Sequence, residues 1–543
     1  MMQSATGNQE KDPDDEAIEQ LADLDPIDVL LTAPAGCGKT EALAHRAARL
    51  IRNGHVRPEQ KILAVSFSNK ARDNLRARLR KMLPAHEMAK VNVSNLHGVA
   101  ARIVLAHGQR VGLETAGLVL PTRRAHRRRQ SLAGIVWQNR DQVEVILRTA
   151  KGGQFDDDHV RQKIEDSGNE VALRYQLALE NEEGLDFDDL LRHADRILAI
   201  KEVAHGYQLH VAAVLVDEVQ DLSFQQLRIV QQVGTDRITY AGDYGQGIYS
   251  FAGADPDGVF ASIASRNPRV FQLTRSFRSS PAVLQAVNAL GAISGTTTLR
   301  CADPDRWGPD ATSSGHAFAS VDDEAIAVLA HVQPLLAPDA SVGIIARNGN
   351  RLNAIRTRAA SVGQQFTDWS ASLHHVDTVR QLREHVTAAI RASSDNQEAL
   401  AALRQMCLES CREDDVDTRD EIEEACAELA QLTESGLALD EAVARCRPDE
   451  PGDAPVRPGL HLLNAHLGKG QEFDHVVILG LEEGIVPDFR AVSPSAVAEE
   501  LRTLTVMVSR ARTSLYLTTS ATVPTTNGWE NPRQPSRWWP ILT

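Results

Sequence analysis

The stretch "LLTAPAGCGKT", residues 30–40, is an apolar run that empties through a glycine-bearing loop into Lys39, Thr40 and a helical pattern. A strand of that kind, apolar on both faces, cannot stand alone. It needs parallel neighbours covered on both sides by helices. Suitable neighbours are present: "KILAVSF", "VAAVLVDE" and "RITYAGD" are β-type runs bounded by turns and followed by helical periodicity. A second set, "SVGIIAR", "GLHLLNAH", "HVVILGLE" and "SLYLTTS", comes late in the chain. The expected fold is α/β, in two lobes built on parallel sheets. At 543 residues the chain is also too long for one core.

Two long helical stretches interrupt these strands and are too long to be loops of a compact lobe, so each reads as an inserted helical subdomain. The expected organisation is a disordered tail over 1–15, a first lobe from 16–98 and 186–275, and its insertion at 99–185. A second lobe follows from 276–375 and 456–522, with a shorter insertion at 376–455 and a Trp/Pro-rich tail at 523–543. "CRPDEPGDAPVRPG" closes the second insertion as a linker. No internal repeat is visible.

No run approaches the roughly 18 apolar residues a membrane helix needs, and the N-terminus is acidic where a secretory signal would be basic and then apolar. A cytoplasmic protein with no membrane partner is expected. Six cysteines in a chain of this length do not form a disulfide scaffold. Cys407, Cys411, Cys426 and Cys446 leave two readings open, a metal site and buried thiols; the lack of a C-x-x-C pair or a nearby histidine favours thiols. A formal charge of −15 excludes a histone-like polycation but not a local nucleic-acid groove. The run Arg123, Arg124, Arg127, Arg128, Arg129 reads equally as a solvated face and as a phosphate contact.

The loop of "APAGCGKT" has the means to hold nucleotide phosphates. Its backbone N–H groups at Gly36, Cys37 and Gly38 approach phosphate, Lys39 reaches the β- and γ-phosphates, and Thr40 can ligate Mg²⁺. The first glycine of the usual G-x-x-x-x-G-K-[ST] pattern is Ala33. With a phosphate site upstream, "VLVDEVQD" gains a cation: Asp217 at a strand end can hold the magnesium shell and Glu218 can take a proton from the attacking water.

These motifs, together with "AVSFSNKARDNLRARL", "NLHGVAARIV", "LDFDDLL", "AGDYGQGIYSFAGA", "LTRSFRSS", "NAHLGKGQEFDHVVILGLEEGIVP" and "TVMVSRA", occur in the order seen in the UvrD/Rep/PcrA helicases of superfamily 1, which the chain resembles from about Leu30 to Leu517. The resemblance implies two RecA-like lobes with ATP between them. It makes Gln246 the sensor of the γ-phosphate and Arg278 and Arg510 the arginines that the second lobe extends toward it. Phe277 resembles the residue that stacks on adenine and Glu472 the one that contacts ribose. Gln20 stands in for an upstream glutamine, although it lies closer to the loop than the family pattern suggests.

Phe67, Asn69, His97, Phe251, Arg347 and His466 match positions the family uses along single-stranded DNA; for Phe67 and Phe251 core packing is the competing reading. The chain departs from the family where Trp-Arg is usual and Phe251-Ala252 stands, and at Asn464 and Leu467. The resemblance implies a 3′-to-5′ DNA helicase or translocase that uses ATP and Mg²⁺ on single strands and single-strand/duplex junctions, in DNA repair or antiviral defence. The short second insertion is similar to helicase subunits that accompany OLD-type nucleases in Gabija-type anti-phage systems. Ala252 in place of arginine, the short insertion and a tail carrying Trp529, Trp538 and Trp539 motivate an alternative, an ATP-operated DNA-sensing subunit that loads or regulates a nuclease, bound through the helical insertions or that tail.

Overall fold

The computed structural model describes residues 11–67, 69–135, 139–182, 184–369, 373–374, 376–393, 395–410, 416–434, 437–448, 456–524 and 529–543. They form two compact units, one comprising Met1–Arg278 with Gly291–Asp303 and the other Ser279–Leu290 with Pro304–Thr543.

The first unit is built on six parallel strands: β1 (Val29–Thr32), β2 (Lys61–Ser66), β3 (Val91–Asn95), β4 (Val211–Asp217), β5 (Ile238–Gly242) and β6 (Arg269–Gln272). Their order in the sheet is β3-β2-β4-β5-β1-β6. The apolar runs are buried along nearly their whole length, Val65, Val214, Val216 and Tyr240 being fully enclosed, because helices cover the sheet. The helix Leu96–His107 joins this lobe's core through Val99, Ala100, Ile103 and Val104. The helices between Arg123 and Asn181 have a separate small core, including Val143, Leu147, Val160, Ile164 and Tyr175.

The second unit carries β7 (Ser313–Ser320), β8 (Ser341–Ala346), β9 (Thr367–Asp368), β10 (Gly459–Asn464), β11 (Phe473–Leu479), β12 (Ala511–Pro524) and β13 (Glu530–Pro532). The sheet runs β9-β10-β8-β11-β12-β13, with β7 also paired to β12 and only β13 antiparallel. Its insertion is the helices Val376–Arg391, Asn396–Glu409, Val416–Glu434 and Leu439–Arg445 around their own core. Cys407, Cys426 and Cys446 are buried in that core as free thiols, and Cys411 lies outside the described residues. Among the described residues no cluster of His, Cys, Asp and Glu could hold a metal by itself.

The C-terminal tail is spent largely on its own unit. β13 extends the sheet, Arg537 pairs with Glu483, and Trp538 is buried, while Trp529 is exposed. Among the described residues no helix is long and apolar enough to cross a membrane.

Candidate active site

The register of the first sheet brings five strand ends level: Thr32 opposite Gly242, and Ser66 opposite both Asp217 and Asn95. In parallel sheets ligands bind outside the carboxyl ends of the strands. Ala33–Thr40, Phe67, His97, Glu218 and Asp243–Gln246 all follow those ends and therefore share one edge.

The loop after β1 needs left-handed backbone only at Gly36 (φ +80°) and Gly38 (φ +82°). Ala33 is not among the positive-φ residues, and its N–H is bonded to the Gly242 carbonyl, so alanine meets the backbone demand there without glycine. Gly36 is hemmed in by another segment. A Cβ on it would lie 2.5 Å from Arg278 Cβ, and its carbonyl accepts the Phe277 N–H at 2.9 Å. That contact groups Arg278, expected on the second lobe, with the loop's own unit. The Phe277 ring is half exposed, with the Arg275 guanidinium 4.8 Å from its centre. Gln20 lies on the exposed side of the helix Pro13–Asp23 and donates to Glu16, while Asp14 of that helix accepts the Thr274 and Arg275 N–H groups. Cys37 is buried, which together with the charge of Asp243 pushes its thiol up to about 12.

Lys39 and Thr40 open the helix Lys39–Arg52 and face the end of β4. Lys39 Nζ is 3.1 Å from Glu218 Oε2, and Thr40 Oγ1 donates to Asp217 Oδ2 at 3.1 Å. Burial would lower the Lys39 pKa, but the charges of Glu218, Asp217 and Asp243 more than offset it and hold the ammonium above its usual value. Burial, and next the Glu218 charge, push Asp217 up to about 7; burial likewise raises Asp243. Three carboxylates around one ammonium, with the Thr40 hydroxyl beside Asp217, are a hard-oxygen donor set that fits a divalent cation on a phosphate.

Glu218 adopts φ +56°, unusual for a residue with a side chain. Its Oε2 accepts the Gln220 amide at 2.5 Å, Gln220 Oε1 accepts the Asp243 N–H at 3.0 Å, and Asp243 Oδ2 accepts the Gln246 amide at 2.5 Å. A single polar chain thus runs from Lys39 to Gln246. Gly242 leaves it room, since a Cβ there would lie 2.7 Å from Gln220 Oε1. Three residues beyond Gln246, Tyr249 stacks on Phe67 (centroids 5.5 Å apart, planes at 22°) and meets Phe251 edge-on at 5.9 Å. Phe251 is 58% exposed, so core packing does not account for it. His97 packs edge-on against Phe187, and burial lowers its pKa to about 4.

In the second unit Arg347 and His466 are neighbours at the ends of β8 and β10, with Nη1 to Nε2 at 3.3 Å. Glu500 grips Arg347 with both oxygens and also accepts the Asp488 N–H. Burial, with the Arg347 and Lys469 charges, takes His466 to about 4. Arg510 is buried, donating to the Val506 and Gln471 carbonyls and to Ser509; the exposed Glu472 follows Gln471.

Asn69 opens the helix Asn69–Met82, and its side chain lies outside the described residues, as do those of Arg123, Arg124 and Arg127. Arg129 is buried against Glu182 at 2.6 Å and so is removed from any phosphate role. Sequence reasoning missed Asp243, Tyr249 and Glu500. Asp243 had a readable signal, because it ends an apolar run as Asp217 does.

The UvrD/REP helicase N-terminal domain matches residues 16–264, and the UvrD-like helicase C-terminal domain matches residues 185–522. The chain is 29% identical over 570 aligned positions to the ATP-dependent DNA helicase UvrD2 of Mycobacterium tuberculosis, covering 95% of this chain and 79% of that protein. It is 29% identical over 283 positions to the ATP-dependent DNA helicase PcrA of Bacillus subtilis, covering 48% of this chain and 37% of PcrA. With a phosphate-type loop and a carboxylate pair joined by one polar chain that ends three residues before an aromatic ladder, and with both domains matched, the chain belongs to the UvrD-like family of DNA helicases, which are DNA-dependent ATPases.

Proposed function

We propose that the chain hydrolyses ATP with Mg²⁺ and converts it into 3′-to-5′ movement along single-stranded DNA, opening duplex at single-strand junctions. The observation that carries this reading is the continuity of Asp243–Phe251. One end of that segment is bonded through Gln220 to Glu218, and the other end is Phe251, the exposed member of the aromatic ladder.

The roles proposed combine the chemistry of each residue with the family resemblance. Gly36, Cys37 and Gly38 offer the loop's N–H groups to phosphate, and Lys39 offers its ammonium. Thr40 and Asp217 would hold magnesium, which when bound would neutralise phosphate oxygens and orient the terminal phosphate for in-line attack. Glu218, its carboxylate fixed by Gln220, takes the proton of the attacking water. Gln246 senses the terminal phosphate, and Arg278 and Arg510 are assigned to the charge that builds on its oxygens. Phe277 stacks on the base, with Gln20 and Glu472 completing nucleotide recognition.

On the strand side Phe67 and Phe251 offer a stacking platform with Tyr249, while Asn69, His97, Arg347 and His466 are assigned to strand contacts by the family resemblance. Polarity is tested with duplexes carrying a 3′ or a 5′ single-stranded tail. Unwinding of the 3′-tailed substrate alone agrees with the reading. Unwinding of the 5′-tailed substrate alone contradicts it, and ATP hydrolysis without strand separation on either favours a nuclease-loading role.

A further inference from the structure

We propose that Arg148, delivered by the first helical insertion onto the Phe251 carbonyl, binds a phosphate of single-stranded DNA beside the base that stacks on Phe251; this rests on the DNA-translocase reading. The sequence offers no charge at the platform itself, where Phe251 is followed by Ala252 and Gly253. The structure supplies one from 103 residues away, with Arg148 Nη1 donating to the Phe251 carbonyl at 2.7 Å.

The contact is built from both sides. Gly253 has φ +88°, and a Cβ on it would lie 2.6 Å from Arg148 Cδ and 3.0 Å from Nε, so the arginine stem fills the space that a side chain would take. Arg148 also has a fixed base. Lys151, one turn along the same helix (Arg140–Lys151), is fully buried, with Nζ 2.6 Å from Asp186 Oδ2 and 2.8 Å from Asp189 Oδ2. Asp186 and Asp189 form the capping box that starts the helix Phe187–Leu198 in the main lobe. The buried ion pair pins the end of the insertion helix to the lobe, and Arg148 reaches the ladder from that anchor.

A guanidinium has five N–H donors, and among the described residues Arg148 spends a single hydrogen bond, on the Phe251 carbonyl. The Arg148 charge acts on the Asp188 carboxyl, whose pKa burial raises against the opposing charges of Lys151 and Arg148, and among the described residues Arg148 donates no hydrogen bond to Asp188 or Glu144. A half-buried, oriented arginine next to a 58% exposed phenylalanine is the combination single strands require, a cation for the backbone and a π-face for the base.

Binding of a fluorescent oligothymidylate over a series of salt concentrations tests this. Each phosphate contact on a single strand contributes about 0.7 to the slope of log affinity against log salt. Arg148→Gln is expected to weaken binding about fivefold at low salt and to flatten the slope by about 0.7, and adding Ala252→Arg to that variant is expected to restore the slope. If Arg148→Gln keeps the wild-type slope, whatever its affinity, the residue only supports the loop and the inference is overturned. A wild-type chain that does not bind the oligothymidylate contradicts the translocase reading instead.

Discussion

The Gln220 side-chain amide lies 2.5 Å from Glu218 Oε2, while the carbonyl oxygen of the same side chain accepts the Asp243 N–H at 3.0 Å. Gln220 therefore sets the direction of the carboxylate proposed to accept the water proton, and ties it to the loop that ends at the aromatic ladder. Positioned proton transfer is worth about 10²–10⁴ in rate. Glu218→Gln should lower kcat by that range, and Gln220→Ala, which leaves the carboxylate chemically intact, by about 10–100-fold. Steady-state ATPase assays with saturating DNA should show KM for ATP shifting far less than kcat in both. Equal kcat in Gln220→Ala and wild type would remove Gln220 from the mechanism.

Gly36→Ala is expected to be costly for two reasons, its φ of +80° and a Cβ 2.5 Å from Arg278 Cβ. Overpacking of this kind costs about 1–3 kcal/mol, and the shift falls on the nucleotide loop. Denaturant titration should show the loss, and ATP affinity should fall with it. Gly206→Ala is the control, since it lies in the helix Lys201–His210 with nothing near its would-be Cβ. That variant should be neutral or stabilised by up to about 1 kcal/mol.

Much of the site was legible in the sequence because strand ends are legible. Lys39, Thr40, Asp217 and Glu218 follow apolar runs, and parallel strands bring such ends to one edge whatever their separation along the chain. Alanine in place of the pattern's first glycine at position 33 does no harm because that position does not use left-handed backbone. Contacts between helical insertion and lobe were not legible, since no local pattern announces that Arg148 meets Phe251 or that Arg129 is buried against Glu182. For the same reason the charged run at 123–130 kept two readings until its last arginine proved to be paired inside.

Phe251→Ala should separate stacking from charge. One lost base stack is worth about 1–3 kcal/mol, or roughly 5- to 150-fold in affinity for single-stranded DNA. The salt slope should not change, because no phosphate contact is removed. Anisotropy at two salt concentrations is sufficient. An unchanged affinity would return Phe251 to the role of an incidental surface aromatic.

Acid should act through the buried histidines. His97, His193 and His466 are lowered to about 4, burial being the largest cause for each, against about 6.5 in the unfolded chain. Between those values the unfolded chain binds more protons. Their contribution is therefore full above about 6.5 and is lost as pH falls toward 4. Asp217 and Asp186, raised to about 7 and about 6, act in the opposite sense, so the discriminating quantity is a difference between variants. Thermal midpoints of wild type minus His466→Asn should fall as pH drops from 6.5 to 4.5. A difference that stays flat across that window would mean His466 titrates normally.

Lys39 and its carboxylate partners are proposed to form an ATPase coupled to DNA. The most direct measurement is ATP hydrolysis by wild type and Lys39→Ala, each with and without single-stranded DNA. Wild type should hydrolyse ATP and be stimulated severalfold or more by DNA, while Lys39→Ala stays near background in both conditions. Equal hydrolysis by the two chains, or a wild-type rate indifferent to DNA, would contradict the account.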